Sequence, residues 1–208
     1  MVIQNMYASK SYGVVLATDG ELTLLNCILK DNNTYYGSID THDGDAKLKM
    51  HHCTVMDNIV CYKNGEYGAV NISYPRDTSI NDSIVVNNTN TKGEARDIIS
   101  KKEGSITGDY NVVATQDKDV SWKSGDHNKI EKEYADYGMW MGADGSLYPR
   151  TLNGEANPAL DIHPEEQEGV DMNGNLRPQG RGGDAGALEA APFRVRGYKL
   201  PSAPIHIS

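Results

Sequence analysis

The feature of this chain that most constrains its fold is a short segment that occurs three times. The copies are LTLLNCILKDN at residues 22–32, LKMHHCTVMDN at residues 48–58 and TSINDSIVVNN at residues 78–88. An alignment without gaps gives four columns of equivalent residues: Leu24, Met50 and Ile80; Cys27, Cys53 and Ser83; Leu29, Val55 and Val85; Asn32, Asn58 and Asn88. The copies begin 26 and 30 residues apart (48 − 22 and 78 − 48). Such a period indicates a stacked solenoid, because each unit can bury its apolar face only against its neighbours.

The repeating unit has the composition of strands rather than of a helix. Its blocks are short and β-branched, and Gly, Asn and Asp follow each one. Loops lead into further apolar stretches that begin with Tyr-Gly, at Gly13, Gly37 and Gly68. About 20 to 30 residues make two or three short strands with turns, and adjacent coils pair at about 4.8 Å. The sequence therefore predicts an all-β parallel β-helix, a single-stranded solenoid of about four to five coils.

The pattern also predicts where the coils begin and how far they extend. VIQNM at the start resembles the end of an earlier, incomplete coil, and Ile106 lies 26 residues beyond Ile80 (106 − 80), which suggests that it continues the same column. Past Ala114 the repeats stop. We therefore assign parallel coils to residues 1–114, a loop-rich cap region packed on the solenoid to residues 115–190, and an extended tail to residues 191–208.

Side-chain parity predicts a corner inside each block. Leu22 and Leu24 share one face of a strand, whereas Cys27 and Leu29 have the opposite parity. All four can point inward only if a turn resets the phase between them. The expected corner residues are Leu25 with Asn26, His51 with His52, and Asn81 with Asp82.

The asparagine column has a physical reason. Asn tolerates the left-handed backbone that a sharp turn needs, and stacked amides can bond to one another along the solenoid axis. We therefore assign structural roles to Asn32, Asn58 and Asn88. Replacing Asn58 by Ala should cost about 1 to 3 kcal/mol, because buried turn groups would lose their partners.

Charge and hydropathy exclude several classes of partner. The chain has 20 Lys and Arg against 29 Asp and Glu, a net charge of −9, which argues against nucleic acid and anionic membranes. No run of 18 apolar residues exists, so no membrane-inserted segment is expected. No signal peptide is expected in the first residues, which says little about the compartment if upstream coils are missing. An open solenoid end needs a cap, so either the first residues form one or upstream coils are missing; we favour missing coils.

Three cysteines leave at least one thiol outside any intrachain disulfide. Cys27 and Cys53 are equivalent in successive coils, close enough for a disulfide. Two small thiols stacked in the core are the favoured interpretation. Cys61 remains unassigned.

The segment GEANPALDIHPEEQEGVDMNGNLRPQGRGGDAGALEA, at residues 154–190, carries a recognisable pattern. It resembles the terminal signature of right-handed parallel β-helix proteins of the choice-of-anchor Q type, in the pectate-lyase-like superfamily. The matching residues are Asn157, Pro158, Ala159, Leu160 and Asp161; Asp171, Gly174 and Arg177; and Asp184, Gly186, Ala187 and Glu189. Asn157 stands where the pattern usually has Ser. The resemblance implies a right-handed coil and a secreted or surface-attached bacterial protein.

The same segment has the composition of a cap. Arg177 offers a bidentate donor that Asp161, Asp184 or Glu189 could accept, so we assign structural roles to Arg177 and Asp184. Replacing Arg177 by Ala should lower stability more than ligand affinity. Members of the resembled superfamily include glycosidases, lyases and proteins without known catalysis, so the motif predicts architecture rather than activity.

Candidate sites follow from the polar loops and the aromatic residues. The catalytic candidates are Asp43, Asp57 and Lys47, and the substrate-binding candidates are His42, His52, Trp122 and Trp140. Asp40, Asp43 and Asp45 could form a calcium site, although a polar turn at Gly44 is the simpler interpretation. No cofactor is required. Zinc at His51, His52 and Cys53 is disfavoured, because adjacent strand residues point apart.

Three functions are consistent with these features. The first is the C-terminal β-helix portion of an extracellular bacterial glycoside hydrolase or polysaccharide lyase, with a polysaccharide or oligosaccharide as partner. The second is a non-catalytic surface module that binds glycan or serves as an adhesive stalk. The third is a purely structural C-terminal piece. Catalysis by this chain itself stays uncertain, and the first function is the working hypothesis.

Overall fold

The computed structural model describes residues 1–8, 13–41, 46–62, 66–74, 77–118, 120–123, 125–130, 139–141, 147–149, 157–164 and 169–190. These residues form short strands joined by turns, and none of them is in an α-helix. The strands stack in parallel as a β-solenoid of about four turns. No helix in the described ranges has the length and hydropathy needed to cross a membrane.

Each complete coil contributes strands to several parallel sheets. Before the first coil lies β1 (Val2–Gln4). The next strands are β2 (Val15–Ala17), β3 (Glu21–Leu25), β4 (Ile28–Lys30), β5 (Asn33–Thr34), β6 (Ile39–Thr41), β7 (Lys47–His51), β8 (Thr54–Met56), β9 (Ile59–Val60), β10 (Val70–Ile72), β11 (Thr78–Asn81), β12 (Ile84–Val86) and β13 (Thr89–Asn90). The last are β14 (Ile98–Ser100), β15 (Gly104–Ile106), β16 (Val112–Val113), β17 (Val120–Trp122), β18 (Lys129–Ile130), β19 (Met139–Met141) and β20 (Leu147–Pro149).

The sheets run along the solenoid axis. The largest has the order β1-β4-β8-β12-β16-β18, and a four-stranded sheet has the order β14-β10-β6-β2. Three-stranded sheets join β11-β7-β3 and β13-β9-β5. β15 pairs with β17 in parallel, whereas β19 and β20 pair antiparallel.

The apolar columns expected from the repeat are confirmed. Met50 lies opposite Leu24 on one side and Ile80 on the other, and the register of the large sheet places Leu29, Val55 and Val85 in line. These residues are at most 5% exposed and belong to one core cluster. Stacking therefore buries the apolar side chains of each coil, which would be exposed at the open ends of a single coil.

The corners contain two columns of left-handed residues. One holds Asn26, His52 and Asp82, with φ of 49° to 50°, which confirms the expected reset of parity. The other holds Asp31, Asp57 and Asn87, with φ of 54° to 58°. The prediction that Asn32, Asn58 and Asn88 take the left-handed backbone is wrong, since the residue before each one does so.

The last coils depart from the sequence expectation in register. Ser79 pairs with Thr107, which places Gly108 rather than Ile106 opposite Ile80. A Cβ on Gly108, whose φ is 141°, would lie 1.7 Å from the Ile80 carbonyl oxygen. A glycine is therefore required where the chain passes closest to the coil below. Ile106 is fully buried all the same.

Parallel pairing continues beyond Ala114. β17 pairs with β15, and β18 pairs with β16. The solenoid therefore extends by one partial coil beyond the predicted end of the repeats at Ala114. The repeat pattern does not reveal this coil, because polar residues separate Val120–Trp122 from Lys129–Ile130 and the two strands lack the aliphatic spacing of the earlier blocks.

The described residues of the C-terminal segment, 157–164 and 169–190, pack along one side of the solenoid. Its apolar residues Ala159, Ala185, Ala187 and Leu188 form a second core cluster with the outer side chains of the large sheet, among them Ile28, Met56 and Ile84. The Ala187 N–H donates to Thr54 Oγ1 at 3.1 Å. The described part of this segment thus covers a lateral face of the solenoid, where the sequence suggested a cap.

Candidate functional site

Three of the sequence-derived site residues, His42, Asp43 and Asp45, lie outside the described residues. Asp40, proposed with them as a calcium ligand, is fully buried. Its Oδ1 accepts a hydrogen bond of 2.6 Å from Nδ2 of Asn71, its neighbour across the β6–β10 pair. That carboxylate oxygen is therefore engaged within the sheet.

Asp57 and Lys47, the other catalytic candidates, are both exposed, but the strands next to them belong to different sheets. Lys47 begins β7, and Asp57 follows β8. Although Asp57 as a residue is exposed, partial desolvation of its carboxyl and then the nearby charge of Asp31 raise the pKa of that carboxyl. Asp31 itself lies 3.8 Å from Lys30 Nζ, an ion pair that screens the two stacked carboxylates.

The substrate-binding candidates that the structure describes do not share one surface. Trp122, in β17, is partly buried against the core, and its Nε1–H donates to Gln116 Oε1 at 2.8 Å. Trp140 belongs to β19, and its side chain lies outside the described atoms. His52 is a buried corner residue whose ring stacks on that of His51.

The asparagine column forms a continuous ladder of amides. Asn32 Nδ2 donates to Asn58 Oδ1 at 2.9 Å, and Asn58 Nδ2 donates to Asn88 Oδ1 at 2.8 Å. The ladder ends on Asp97, whose Oδ1 accepts from Asn88 Nδ2 at 2.7 Å. Burial raises the Asp97 pKa to about 6 against the opposing effect of its hydrogen bonds, including those from Asn88 and Thr115.

Arg177 and Asp184 lie inside the C-terminal segment. Arg177 Nη1 is 2.5 Å from Glu189 Oε1, and both side chains are almost fully buried. The Asp184 carboxylate accepts the backbone N–H groups of Asp161 and Ala190, each at 2.7 Å. Burial, followed by the charge of Glu189, raises the Asp184 pKa to about 7. Asp184 therefore joins parts of the C-terminal segment to each other, whereas Arg177 also joins the segment to the solenoid by donating from Nη2 to Asn26 Oδ1 at 3.3 Å.

The most distinctive surface feature is a tyrosine cluster, formed by Tyr35, Tyr36, Tyr62 and Tyr67. The ring centroids of Tyr36 and Tyr67 are 4.7 Å apart, and those of Tyr62 and Tyr67 are 4.9 Å apart. Tyr35 meets Tyr36 at 4.8 Å and Tyr62 at 5.2 Å, both edge to face. All four side chains are partly exposed. Such edge-to-face geometry is the preferred arrangement of aromatic rings.

Parallel stacking brings these tyrosines together. Thr34 pairs with Val60, so Tyr36 and Tyr62 follow two stacked strands at equivalent positions. Ile39 pairs with Val70, so Tyr36 and Tyr67 precede the next two strands at equivalent positions. A single tyrosine of the first coil thus contacts two tyrosines of the second.

Glycine keeps the tyrosine backbone close to its neighbour. Gly37, which follows Tyr36, has a φ of 155°, and a Cβ there would lie 2.5 Å from the Gly68 carbonyl oxygen. Only glycine permits this approach, because it has no Cβ. Tyr-Gly therefore recurs where one coil passes closely over the next.

A polar groove adjoins the tyrosine cluster. Two hollows of about 360 and 450 Å³ share Ile99 and Asp117 in their walls. Tyr67, Glu66 and Lys101 line the first hollow; Arg96, Gln116 and Lys118 line the second. We call these two hollows together the polar groove. It combines charged and amide groups with one aromatic wall.

Tyr67 joins the cluster to the groove. The Lys101 ammonium lies 5.5 Å from the centre of its ring, within the range of a cation–π contact. Burial and the nearby Tyr36, Tyr62, Asp40 and Glu66 raise the Tyr67 pKa to about 12. The phenol therefore stays protonated at neutral pH and can both donate and accept a hydrogen bond.

This arrangement suits a ligand with apolar faces and hydroxyl edges. The exposed parts of the rings offer apolar surface, and the groove offers donors and acceptors. The sequence signal that could have revealed the site is the recurrence of Tyr-Gly at Gly37 and Gly68. Searches against protein-family models, curated proteins and solved structures each return no match.

Proposed function

We propose that this chain is the β-helix portion of an extracellular bacterial carbohydrate-active protein and binds a polysaccharide at the tyrosine cluster and the polar groove. The observation that carries the proposal is the packing of Tyr35, Tyr36, Tyr62 and Tyr67 into one partly exposed group beside a groove. Sugar rings combine apolar C–H faces with hydroxyl rims, so they match aromatic surface bordered by polar groups.

Charge narrows the class of glycan. The chain carries a net charge of −9, and the polar groove has no excess of basic side chains, since its lining includes the acidic Glu66, Asp97 and Asp117 and the basic Arg96, Lys101 and Lys118. Polyanionic glycans would be repelled by the overall field. The proposed ligand is therefore an uncharged polysaccharide or oligosaccharide.

The finer assignment rests on the resemblance of the C-terminal segment to the choice-of-anchor Q signature. It supports a right-handed coil, secretion and attachment to a bacterial surface, and it is compatible with glycoside hydrolase or polysaccharide lyase activity in the parent protein, because some members of the resembled superfamily are such enzymes. Asp43, Asp57 and Lys47 remain the proposed catalytic residues, and calcium at Asp40, Asp43 and Asp45 remains a proposal.

A non-catalytic glycan-binding module is the second candidate, and the tyrosine cluster itself favours it. Aromatic side chains can bind a sugar ring without taking part in a reaction. Glu66 and Asp117 favour an enzyme instead, since glycosidases use two carboxylates that flank one groove.

The test is a panel of neutral polysaccharides scored for binding and for products. Tyr67→Ala should weaken binding about five- to tenfold, because one lost aromatic contact is worth about 1 to 1.4 kcal/mol. Tyr7→Ala is the matched control: Tyr7 is 73% exposed and lies outside the cluster. New reducing ends identify a hydrolase, unsaturated products a lyase, and binding alone a module. Absence of binding by the unmodified chain to every neutral glycan would refute the proposal.

A further inference from the structure

The backbone at one corner brings two adjacent histidines to the same side. His51 ends β7, and His52 follows it in the left-handed conformation, with φ of 50°. Adjacent strand residues point apart, but this turn reverses the second one. The two rings consequently stack, with centroids 4.2 Å apart and planes 19° from parallel. The sequence argument against a metal at this pair therefore does not hold.

The next coil adds a carboxylate to this corner. Asp82 occupies the place of His52 one coil further on and has a φ of 49°. Its Oδ2 lies 2.9 Å from His51 Nε2. One ligand atom from each of His51, His52 and Asp82 lies within 4.8 Å of the other two, and no other group of three such donors occurs in the ranges that the structure describes.

His52 supplies an independent indication of a ligand. His52 is only 6% exposed, yet its Nδ1 has no hydrogen-bond partner among the described residues. A buried polar atom left unpaired costs free energy, so native proteins rarely retain one. A bound cation would use a ring lone pair in place of a hydrogen bond.

We propose that His51, His52 and Asp82 bind a divalent transition-metal ion of the Zn²⁺ type. Two imidazole nitrogens and one carboxylate oxygen form a donor set that Zn²⁺ accepts, with water in the fourth position. Calcium is excluded as the intended ion, because it takes six to eight oxygen ligands. The ion would join two successive coils at their corner.

The charges around His52 act on a bound cation as well as on the imidazole. Burial, followed by the charge of Arg177 and then by His51 and His163, lowers the His52 pKa to about 2. The Arg177 charge also opposes a bound cation, although its Nη1 lies 2.5 Å from Glu189 Oε1 in a buried ion pair.

Binding requires one local adjustment. Tetrahedral Zn²⁺ with bonds of about 2.0 to 2.1 Å places its ligand atoms about 3.3 Å apart, and here they lie within 4.8 Å. His51 must turn out of the ring stack, because two nearly parallel imidazoles direct their in-plane lone pairs along parallel lines; its side chain is 51% exposed and has room to turn. His51 Nε2 already lies 2.9 Å from Asp82 Oδ2, so the longest of the three separations involves His52.

The test adds Zn²⁺ alone to chelator-treated protein in a calorimeter and records the visible spectrum with Co²⁺. We expect one equivalent to bind, a higher melting temperature and a Co²⁺ absorption band. His51→Ala should weaken binding at least about tenfold. Asp82→Asn should do the same, because Asn tolerates the left-handed backbone but replaces the carboxylate.

The matched control is His127→Ala. His127 is 54% exposed and pairs with Asp109 at 2.8 Å. These values match those of His51, which is 51% exposed and pairs with Asp82 at 2.9 Å. His127, however, belongs to no group of three donors in the described ranges. It should leave Zn²⁺ affinity unchanged. No stoichiometric binding by the unmodified chain, or equal losses in His51→Ala and His127→Ala, would overturn the proposal. Because Tyr67→Ala should not affect Zn²⁺, the result is independent of glycan binding.

Discussion

Replacing Asn58 by Ala probes the amide ladder at its centre. Asn58 has no exposed surface. Its Oδ1 accepts the N–H and the Nδ2 of Asn32 at 3.0 and 2.9 Å. Its Nδ2 donates to the Leu29 and Met56 carbonyls at 3.1 and 3.0 Å and to Asn88 Oδ1 at 2.8 Å. The substitution therefore removes five hydrogen bonds from a buried position.

The cost follows from which groups lose their partners. The Asn32 N–H loses its bond to Asn58, and a buried donor without a partner costs about 1 to 3 kcal/mol. Asn32 Nδ2 keeps the Ile3 carbonyl at 3.1 Å, and Asn88 Oδ1 keeps the Asn58 N–H at 3.0 Å. Adding about 1 kcal/mol for the remaining lost bonds gives about 2 to 4 kcal/mol. For a chain of this length, that lowers the melting temperature by about 5 to 15 °C.

Urea and thermal unfolding, followed by circular dichroism, measure this loss. Asn33→Ala is the control: Asn33 is the next residue along the chain, is partly buried, and its side-chain oxygen accepts from the Cys61 thiol rather than from the ladder. We expect it to cost less than about 1 kcal/mol. If Asn58→Ala costs no more than Asn33→Ala, the ladder does not stabilise the stacking, and the reasoning fails.

Further predictions concern the coil register and the buried charges. Gly108→Ala should prevent normal folding or cost more than about 4 kcal/mol by thermal melt, because its Cβ would lie 1.7 Å from the Ile80 oxygen. Arg177→Ala should cost about 3 to 5 kcal/mol by leaving Glu189 unpaired, while neutral-glycan affinity measured on folded protein stays unchanged. The folded pKa of Asp184 is raised to about 7 from 3.8, so its stabilising contribution is present at low pH and is lost as pH rises through about 7. Urea unfolding should therefore show less stability at pH 8 than at pH 5.5, and Asp184→Asn should reduce that difference.

Much of the solenoid could be predicted from the sequence, because register depends on repeated local patterns. Leu24, Met50 and Ile80 recur at one place in each block, and stacking requires equivalent residues to superpose. The last coil could not be predicted in the same way. There Gly108 replaces the aliphatic residue, so the nearest apolar side chain, Ile106, belongs to another column.

The candidate site was less accessible to sequence reasoning. Tyr62 follows β9 and Tyr67 precedes β10, and only the pairing of β5 with β9 and of β6 with β10 places both against Tyr36. The histidine corner depends on one backbone angle, the left-handed φ of His52. Strand parity alone gives the opposite orientation, and no residue type specifies that angle.

The central claim is that equivalent residues of successive coils lie directly opposite each other, and a disulfide trap tests it most directly. Thr23 pairs with Lys49 across β3 and β7, and both are exposed. The background replaces Cys27, Cys53 and Cys61 by Ser, as Ser83 already occupies the column of the first two. Thr23→Cys with Lys49→Cys then tests the predicted register.

The control pair is Thr23→Cys with Lys47→Cys, because Lys47 lies opposite Glu21. Two residues of offset put its Cα about 8 Å from that of residue 23, beyond the reach of a disulfide. Peptide mapping after mild oxidation should show a nearly complete crosslink for residues 23 and 49 and almost none for residues 23 and 47. Equal crosslinking of both pairs, or a crosslink for the control pair alone, would contradict the stacked register on which the tyrosine cluster and the metal site depend.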